Sequence, residues 1–362
     1  MASRGMIVVV IAFLLLSMPV LGCFASSSPS TTSSTCSPSS SSATTTAVSI
    51  SFNATTAVRF YSSLMSPLGL FTDYLGSHTI WLADDQALDY CALLSVYNST
   101  HNSIALNLAQ QVNSSIVKWG GFYKYWNPVF EVLGNYPENV NETIPWCGKS
   151  QEIGVTQGYT VNATVFKPCR GFEYWLFADL LAYHVLLDMH FGNDTGAELE
   201  FSELSSIWNG HGFYDQPFQE DPTYTYQSYK LADYVIAWEA LASNSATRQF
   251  ALGYQTRVQS VAAVMSELQS SAGGVWTGYI VSNGQISYGN GISLTNGETT
   301  SLFIFALVGP PNSTPPSTST SSGGGIPEFP IQFGFTLLVT VAIVTSYVFA
   351  RCNLRNGKRP PA

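Results

Sequence analysis

Four stretches of the chain are apolar around most of a helical circumference, which predicts helices that are buried on several sides. They are WLADDQALDYCALLSVY (81–97), FEYWLFADLLAYHVLLDMHF (172–191), TYQSYKLADYVIAWEALA (225–242) and NGETTSLFIFALV (296–308). Each of the first three precedes a more polar, amphipathic stretch, at 102–119, 195–208 and 245–269. We therefore expect three pairs of an inner and an outer helix, followed by a fourth inner helix.

A turn rich in glycine and aromatic residues follows each outer stretch. The three turns are GGFYKYW (120–126), GHGFYDQP (210–217) and GGVWTGY (273–279). Glycine supplies the positive φ that ends a helix, and the aromatic side chain can fill the gap between neighbouring hairpins. The unit of inner helix, outer helix and turn thus occurs three times along the chain. Within 274–289, Asn283-Gly284 also predicts the turn of a small β-hairpin.

The N-terminal residues 1–25 have the pattern of a secretory signal peptide. Arg4 precedes an apolar run that is too short to span a membrane stably, and small residues follow it. Two processing sites stay open. Residues 20–23 (VLGC) resemble a lipoprotein signal box, which makes Cys23 a lipidation candidate, and ordinary cleavage after Ala25 is the alternative. Either way, we expect the protein to be exported.

Near the other end, residues 331–350 are uncharged and about long enough to cross a membrane as a helix. The basic tail 351–362 follows directly, which predicts a cytoplasmic C-terminus and an extracellular domain before the span. Segment 327–350, with its Pro-Glu-Phe motif, resembles the C-terminal sorting signals of archaeal surface proteins. That resemblance implies an alternative, in which a transpeptidase-like enzyme removes the span and another route anchors the protein.

Two linkers rich in Ser and Thr, 26–48 and 310–326, border a single extracellular segment, 49–309. Their composition cannot bury a core and is typical of flexible stalks. The segment between them is long enough for one large domain. Without the basic ends and Glu328, nine basic residues remain against 22 acidic ones. This negative charge argues against nucleic acid or anionic lipid as a partner.

Sequons and cysteines fit an oxidising exterior. Asn-X-Ser/Thr sequons occur at Asn53, Asn98, Asn113, Asn141, Asn162, Asn193 and Asn312. Together they predict a glycosylated surface protein. Cys147 and Cys169 bracket a segment without helical period, and we predict a disulfide between them, whereas Cys91 lies within an apolar helix and is expected to be a free, buried thiol.

The repeated hairpin resembles the (α/α) toroid superfamily, which includes six-hairpin glycosidases, polysaccharide lyases and prenyltransferase β subunits. The resemblance rests on the three helix-turn units and is strongest in 212–241 and 295–307. It implies an all-α, toroid-like barrel of four to five hairpins, accompanied by the small β-hairpin and one C-terminal transmembrane helix.

In such a barrel the N-terminal ends of the inner helices share one rim, where the acidic and aromatic residues collect. The candidate catalytic residues are Asp84, Asp85 and Glu298, and the candidate ligand-binding residues are Trp81, Glu173, Asp221, Tyr224, Tyr226 and Asn296. Paired carboxyls suit glycoside cleavage, and aromatic faces suit sugars. WLADDQAL resembles the segment that opens a helix in several six-hairpin sugar-active proteins. The alternative is that these acids only cap helices and complement their dipoles.

Two functions stay open. One is a surface-anchored hydrolase or lyase acting on carbohydrate, and the other is a non-catalytic component of the cell envelope that binds glycan or a neighbouring protein. The toroid fold hosts both kinds. The chain has no phosphate-binding or dinucleotide-binding motif and no Ser-His-Asp arrangement, and we expect neither a metal nor another cofactor.

Overall fold

The computed structural model describes residues 52–136, 146–168, 172–289 and 293–310. About half of these residues are helical, and three small sheets accompany the helices. The predicted signal peptide, first linker, Pro-Glu-Phe motif, membrane span and basic tail, and the second linker beyond residue 310, lie outside the described residues. Among the described helices, none combines the length and hydropathy that a membrane span requires.

Ten α-helices occur in the described part of the chain. They are α1 (Ala54–Leu64), α2 (Asp85–Thr100), α3 (Ser103–Ile116), α4 (Ala178–Phe191), α5 (Asp194–Ser206), α6 (Gln216–Glu220), α7 (Tyr229–Ser243), α8 (Arg248–Leu252), α9 (Gln255–Met265) and α10 (Gly297–Val308). Short 3₁₀ helices occupy Val117–Trp119, Pro128–Leu133 and Tyr174–Leu176. The four inner helices of the prediction correspond to α2, α4, α7 and α10, and the third outer stretch is broken into α8 and α9.

The helices pack as hairpins. Helix α2 packs on α3, α4 on α5, and α7 on both α8 and α9. The remaining inner helix, α10, packs on α1 from the other end of the domain. The described residues thus contain four hairpins, the lower end of the expected range, and the fourth is built from the first and the last helix.

The inner helices contact one another in a circular order. Helix α2 contacts α10, α10 contacts α7, and α7 contacts α4. The 3₁₀ helix Pro128–Leu133 touches both α4 and α2 and so links the two ends of this series. Helix α10 is the most enclosed member, because almost all of its side chains from Thr299 to Ala306 are buried.

Helix α1 was not predicted, although its sequence carries the signals. Asn53 caps the helix by accepting a hydrogen bond from the Thr56 amide at 3.0 Å. Apolar residues recur at helical spacing and are buried, among them Ala57, Tyr61 and Leu64. This helix supplies the outer partner that α10 otherwise lacks.

The all-α expectation is wrong, because the chain also forms sheets. The strands are β1 (Thr79–Trp81), β2 (Trp146–Thr156), β3 (Tyr159–Pro168), β4 (Tyr226–Gln227), β5 (Val275–Trp276), β6 (Gly278–Ser282), β7 (Gln285–Ser287) and β8 (Thr295–Asn296). Their sheets have the orders β1-β3-β2, β4-β6-β7 and β5-β8. The long β2–β3 hairpin was missed: its segment was recognised only as lacking a helical period.

Both β-hairpins turn through a residue pair with positive φ. Asn283 and Gly284, with φ of 51° and 74°, join β6 to β7 as predicted. Gln157 and Gly158 do the same between β2 and β3, with φ of 50° and 81°. Two successive positive φ values match the right-handed twist of paired strands.

The aromatic residues of the turns enter the core. Phe122 is buried and stacks on Tyr90 of α2 at a centroid distance of 4.8 Å. Phe213 is buried against Tyr234 of α7 at 5.5 Å. These rings fill the spaces beside the inner helices, as the repeated turn predicted.

The cysteines agree in part with the sequence analysis. Cys91 is a free thiol within α2, and burial raises its pKa to about 12. Cys147 lies in β2 and is not a free thiol. Cys169 lies outside the described residues, so its pairing with Cys147 stays a prediction.

We expect Gly273→Ala to destabilise the fold much more than Gly284→Ala. Both glycines have positive φ, at 102° and 74°. A Cβ at Gly273 would overlap the carbonyl oxygen of Thr56 in α1, whereas a Cβ at Gly284 meets nothing. Gly284→Ala serves as the control. In urea unfolding it should lower the free energy of unfolding by about 1 kcal/mol, and Gly273→Ala should lower it by about 3 kcal/mol or more. Equal losses would show that the contact between α1 and this turn contributes nothing.

Candidate functional site

Carboxyl groups from the N-terminal ends of all four inner helices, together with Asp73 before β1, lie close enough to affect one another electrostatically. Seven side chains make up this group, called the acidic cluster below: Asp73, Asp84, Asp85, Asp89, Asp179, Asp233 and Glu298. Glu298 of α10 links the two halves, because it interacts with Asp84 on one side and Asp179 on the other. The circular contact order of the helices brings these groups together.

A buried glutamine fixes the start of α2. The Gln86 side chain donates to the carbonyl oxygens of Phe71 and Trp81 at 3.0 Å and accepts from the Phe71 amide at 2.9 Å. Asp84 occupies the N-cap position of α2 without capping it, and its Oδ2 accepts a hydrogen bond from Asn127 at 3.2 Å. The side-chain capping bond of the alternative is therefore absent at Asp84.

Asp89 lies one turn further along α2, at the contact with α10. Its Oδ1 accepts a hydrogen bond from Ser301 at 2.7 Å, and the Ser301 hydroxyl is 2.7 Å from the Tyr61 hydroxyl of α1. Gly297 faces the carboxyl, and a Cβ there would lie 2.7 Å from Asp89 Oδ2. All three polar side chains are fully buried. This network joins α1, α2 and α10.

Burial and mutual repulsion raise the pKa values of the cluster. The pKa of Asp84 rises to about 6, and those of Asp89 and Glu298 rise to about 8. The pKa of Asp85 is raised well above its ordinary value by burial and then by the charges of Asp84 and Asp89. The pKa of Asp233 is also raised, first by burial and then by Asp179. Removal from water disfavours the charged form of a carboxyl, and a neighbouring like charge adds to this effect.

One buried cation lies at the edge of the cluster. Lys230 of α7 forms ion pairs with Asp215 and, at 3.8 Å, with Asp179 Oδ1. The Tyr229 hydroxyl lies 3.3 Å from Asp179 Oδ2 and 3.2 Å from Gln227 Oε1. In the described part of the chain, the ion pairs between basic and acidic side chains are those of Lys230 with Asp179 and with Asp215.

A cleft of about 480 Å³ opens beside Glu298. Its lining residues are Pro217, Asp221, Thr225, Gln227, Tyr229, Thr277, Gly278, Ser293, Asn296, Glu298 and Thr299. Hydroxyl and amide groups dominate this set, and none of the described lining residues is Lys or Arg. The volume lies within the usual range of small-molecule sites.

The predicted ligand-binding residues occupy different places. Asn296 and Asp221 line the cleft. Asn296 also caps α10 through the Thr299 amide at 3.0 Å, so the capping alternative holds for its side chain. Asp221 orders its own loop by accepting from the Thr223 amide at 2.8 Å and the Thr225 amide at 3.2 Å, and hydrogen bonds to Thr223 lower its pKa.

The other four predicted residues do not line the cleft. Trp81 is half-buried, Glu173 is exposed before α4, and Tyr224 is exposed with a φ of 52°. Tyr226 is buried, stacks on Phe218 at 4.2 Å, and accepts a hydrogen bond from Asn209 at 2.7 Å. Tyr226 therefore packs in the aromatic core, away from the cleft wall.

Sequence reasoning missed four of the seven acids of the cluster, and also Tyr229 and the cation Lys230. The missed residues are Asp73, Asp89, Asp179, Asp233, Tyr229 and Lys230. A repeated signal could have found two of them: an Ala-Asp pair occurs near the start of three inner helices, at 83–84, 178–179 and 232–233. Asp89 lies four residues after Asp85, which puts both on one helix face.

Five predicted glycosylation sites lie in the described residues, and none of their asparagines is buried. Asn53 and Asn193 are exposed, and both also cap helices. Asn98, Asn113 and Asn162 are half-buried, whereas Asn141 and Asn312 lie outside the described residues. Modification of these residues stays a prediction.

The raised pKa values predict that the protein loses stability as pH rises from 6.5 to 8. Over this range the folded state retains carboxyl protons that the unfolded chain has released, so the free energy of unfolding must fall. His184 and His190, whose pKa values are lowered by burial, act in the opposite direction only below about 6.5.

Urea unfolding at several pH values tests this expectation. The midpoint should fall across the range, and Asp89→Asn should make the fall smaller, because one of the raised pKa values is removed. Glu152→Gln, on the exposed surface of β2, is the matched control and should leave the slope unchanged. A midpoint that rises with pH would contradict the assigned pKa directions.

No protein-family model and no curated protein matches the chain. One similar solved structure is the GH76A alpha-1,6-mannanase from Salegentibacter sp. HEL1_6, at 11% identity and a TM-score of 0.26, covering 66% of this chain and 58% of the mannanase chain. Another is an inactive variant of that mannanase in complex with alpha-1,6-mannotriose, at 11% identity and a TM-score of 0.25. It covers 65% of this chain and 57% of the variant's chain. The chain thus spans less than two thirds of their length, and at these TM-scores the likeness establishes neither a shared fold nor a shared activity.

Proposed function

We propose that the domain is a carbohydrate-active enzyme that hydrolyses glycosidic bonds of an uncharged glycan, with Glu298 as the proton donor. The observation that carries this proposal is the position of Glu298, which lines the cleft and also belongs to the acidic cluster. A ligand in the cleft would contact this carboxyl directly.

Glycoside hydrolysis needs one carboxyl that is protonated and one that is ionised at the same pH. Because the pKa of Glu298 is raised to about 8, this group retains its proton near neutrality. Its ionised partner would come from the same cluster. Asp84 and Asp85 are the partners that the sequence predicts, and Asp84, with a pKa of about 6, is ionised above that pH.

The chemistry of the cleft favours hydrolysis over elimination. A lyase removes a proton beside the carboxylate of an acidic sugar, and that carboxylate must be neutralised by a positive charge. No described residue of the cleft wall is Lys or Arg. Lys230 is buried and already paired with Asp215 and Asp179. The hydroxyl and amide groups of the wall instead match the hydroxyl groups of a neutral sugar.

The proposal places this domain in a toroid-like helical barrel on the outside of the cell. The circular contact order of the four inner helices supports the barrel. The apolar N-terminal run, the apolar stretch 331–350 and the seven sequons support export, membrane anchoring and glycosylation. A glycan of the cell envelope or of the surroundings would then be within reach.

We expect Glu298→Gln to reduce glycan hydrolysis by roughly 10²–10⁴-fold, the usual contribution of a positioned general acid. Reducing-sugar release from a panel of uncharged glucans, mannans and galactans measures this loss. Glu267→Gln, an exposed acid outside the cleft, is the matched control and should retain activity. If the wild-type protein binds a glycan of the panel without cleaving any, the non-catalytic binding function replaces this proposal.

The pH dependence of kcat gives a separate test of the proton donor. Activity should fall as pH rises through about 8, because Glu298 then loses the proton that it must donate. The control variant Glu267→Gln should keep this basic limb. A rate that stays constant from pH 7 to 10 would exclude Glu298 as a general acid.

A further inference from the structure

We propose that Asp179 is the ionised carboxylate of the reaction and that Lys230 and Tyr229 keep it charged. This inference rests on the proposed function, since it names the partner of Glu298 in the same site. It assigns the role to a residue of α4 that the sequence analysis did not select, in place of Asp84 and Asp85.

The partners of Asp179 stabilise its charged form. Lys230 Nζ lies 3.8 Å from Asp179 Oδ1, and the Tyr229 hydroxyl lies 3.3 Å from Oδ2. A buried ammonium group and a phenol donor together favour a carboxylate over a carboxylic acid. Lys230 is itself held in place by Asp215, whose Oδ2 also accepts a hydrogen bond from the Ala178 amide at 3.1 Å.

Asp84 and Asp89 have no cationic partner among the described residues. Asp84 accepts a hydrogen bond from the neutral amide of Asn127, and Asp89 interacts with the hydroxyls of Ser301 and Tyr61. Within the described residues, neither forms an ion pair. Burial raises the pKa values of both groups, and the charges of neighbouring acids add to this effect. Asp179 therefore has a cationic neighbour that these two carboxyls lack.

Solvent exposure distinguishes Asp179 from Asp233, another acid near Lys230. The side chain of Asp179 is 18% exposed, whereas Asp233 is fully buried. Tyr229, which contacts Asp179, lines the same cleft as Glu298. Asp179 therefore keeps some exposed surface beside a residue of the cleft wall, whereas Asp233 has none.

The titratable groups around Asp179 are consistent with an ionised Asp179 and a protonated Glu298. On α7 it faces Tyr229, Lys230 and Asp233, on α10 it faces Glu298, and Tyr183 and Asp215 complete its surroundings. The charge of Asp179 raises the pKa of Asp233 and contributes to the raised pKa of Glu298. An ionised Asp179 thus helps to keep the proton on Glu298, which is the division of roles that the reaction needs.

The reaction then balances without any further reagent. Glu298 transfers its proton to the glycosidic oxygen while the bond between that oxygen and the anomeric carbon breaks. Asp179 either bonds to the anomeric carbon, to be displaced later by water, or takes a proton from a water molecule whose oxygen forms the new bond. In both routes water supplies the hydroxyl group of the released sugar. In the first route the attacking water also returns a proton to Glu298, and in the second Asp179 releases its new proton to solvent while Glu298 takes one up from solvent.

The first experiment compares Asp179→Asn with Asp84→Asn and Asp85→Asn in the full-length protein. The readout is reducing-sugar release from the same panel of uncharged polysaccharides. We expect Asp179→Asn to lose roughly 10²–10⁴-fold in kcat and the two α2 variants to lose less. If Asp179→Asn keeps wild-type activity, or if an α2 variant loses more, the inference is overturned while the proposed function stands.

A second measurement separates a chemical role from a structural one. Tyr229→Phe removes one hydrogen-bond donor to Asp179 and keeps the aromatic ring. We expect the acidic limb of the pH–kcat profile to move upward by about one pH unit, because the carboxylate then binds a proton more readily. Lys230→Met should move it further if that variant folds.

The outcomes distinguish the two proposals. An acidic limb that stays in place in Tyr229→Phe contradicts the role of Asp179, even if activity falls. A wild-type protein that cleaves nothing in the panel overturns the proposed hydrolase and this inference with it. Loss of kcat in Asp179→Asn together with the shifted limb in Tyr229→Phe supports both.

Discussion

The close approach of α10 to α2 is the contact on which the whole site depends. Gly297 allows it, because a Cβ at this position would lie 2.7 Å from a carboxyl oxygen of Asp89. Ser301, one turn later, donates to the same carboxyl at 2.7 Å and is 2.7 Å from the Tyr61 hydroxyl. The contact places Glu298, at the start of α10, among the acids that begin α2. A wider spacing would leave separate carboxyls with ordinary solvation instead of one interacting cluster.

This cluster lowers the stability of the domain, and the apolar core must offset that loss. Buried carboxyls without a cation are costly whether they carry a charge or a proton. Helix α10 illustrates the balance, because the residues that follow Glu298 include the fully buried Leu302, Phe303 and Ile304. Burial of each such side chain contributes about 1.5–3 kcal/mol. The same helix thus presents the reactive carboxyl and supplies the packing that holds it in position, as expected where function is maintained at the expense of stability.

Much of the helical frame could be predicted from the sequence, because the four inner helices are apolar on nearly all sides and so have a strong local signal. Asp84, Asp85 and Glu298 could be found because they stand at predicted helix starts. The role of Asp179 could not, since it depends on Lys230, which lies 51 positions further along the chain. The burial of Tyr226 against Phe218 could not be predicted for a similar reason, because it depends on tertiary packing. The β2–β3 hairpin alternates weakly, so its strands gave little local signal.

The fourth hairpin joins the two ends of the domain, and this connection determines when the site can exist. The hydrogen bond between Tyr61 and Ser301 spans 240 residues, and the one between Asn53 and Gln269 spans 216. Contacts of such high sequence separation form late, because closing a long loop costs chain entropy before any contact can compensate for it. A nascent chain that still lacks α10 has neither Glu298 nor the partner of α1. We therefore expect the acidic cluster to assemble late in folding, and a chain without α10 lacks Glu298 of this cluster.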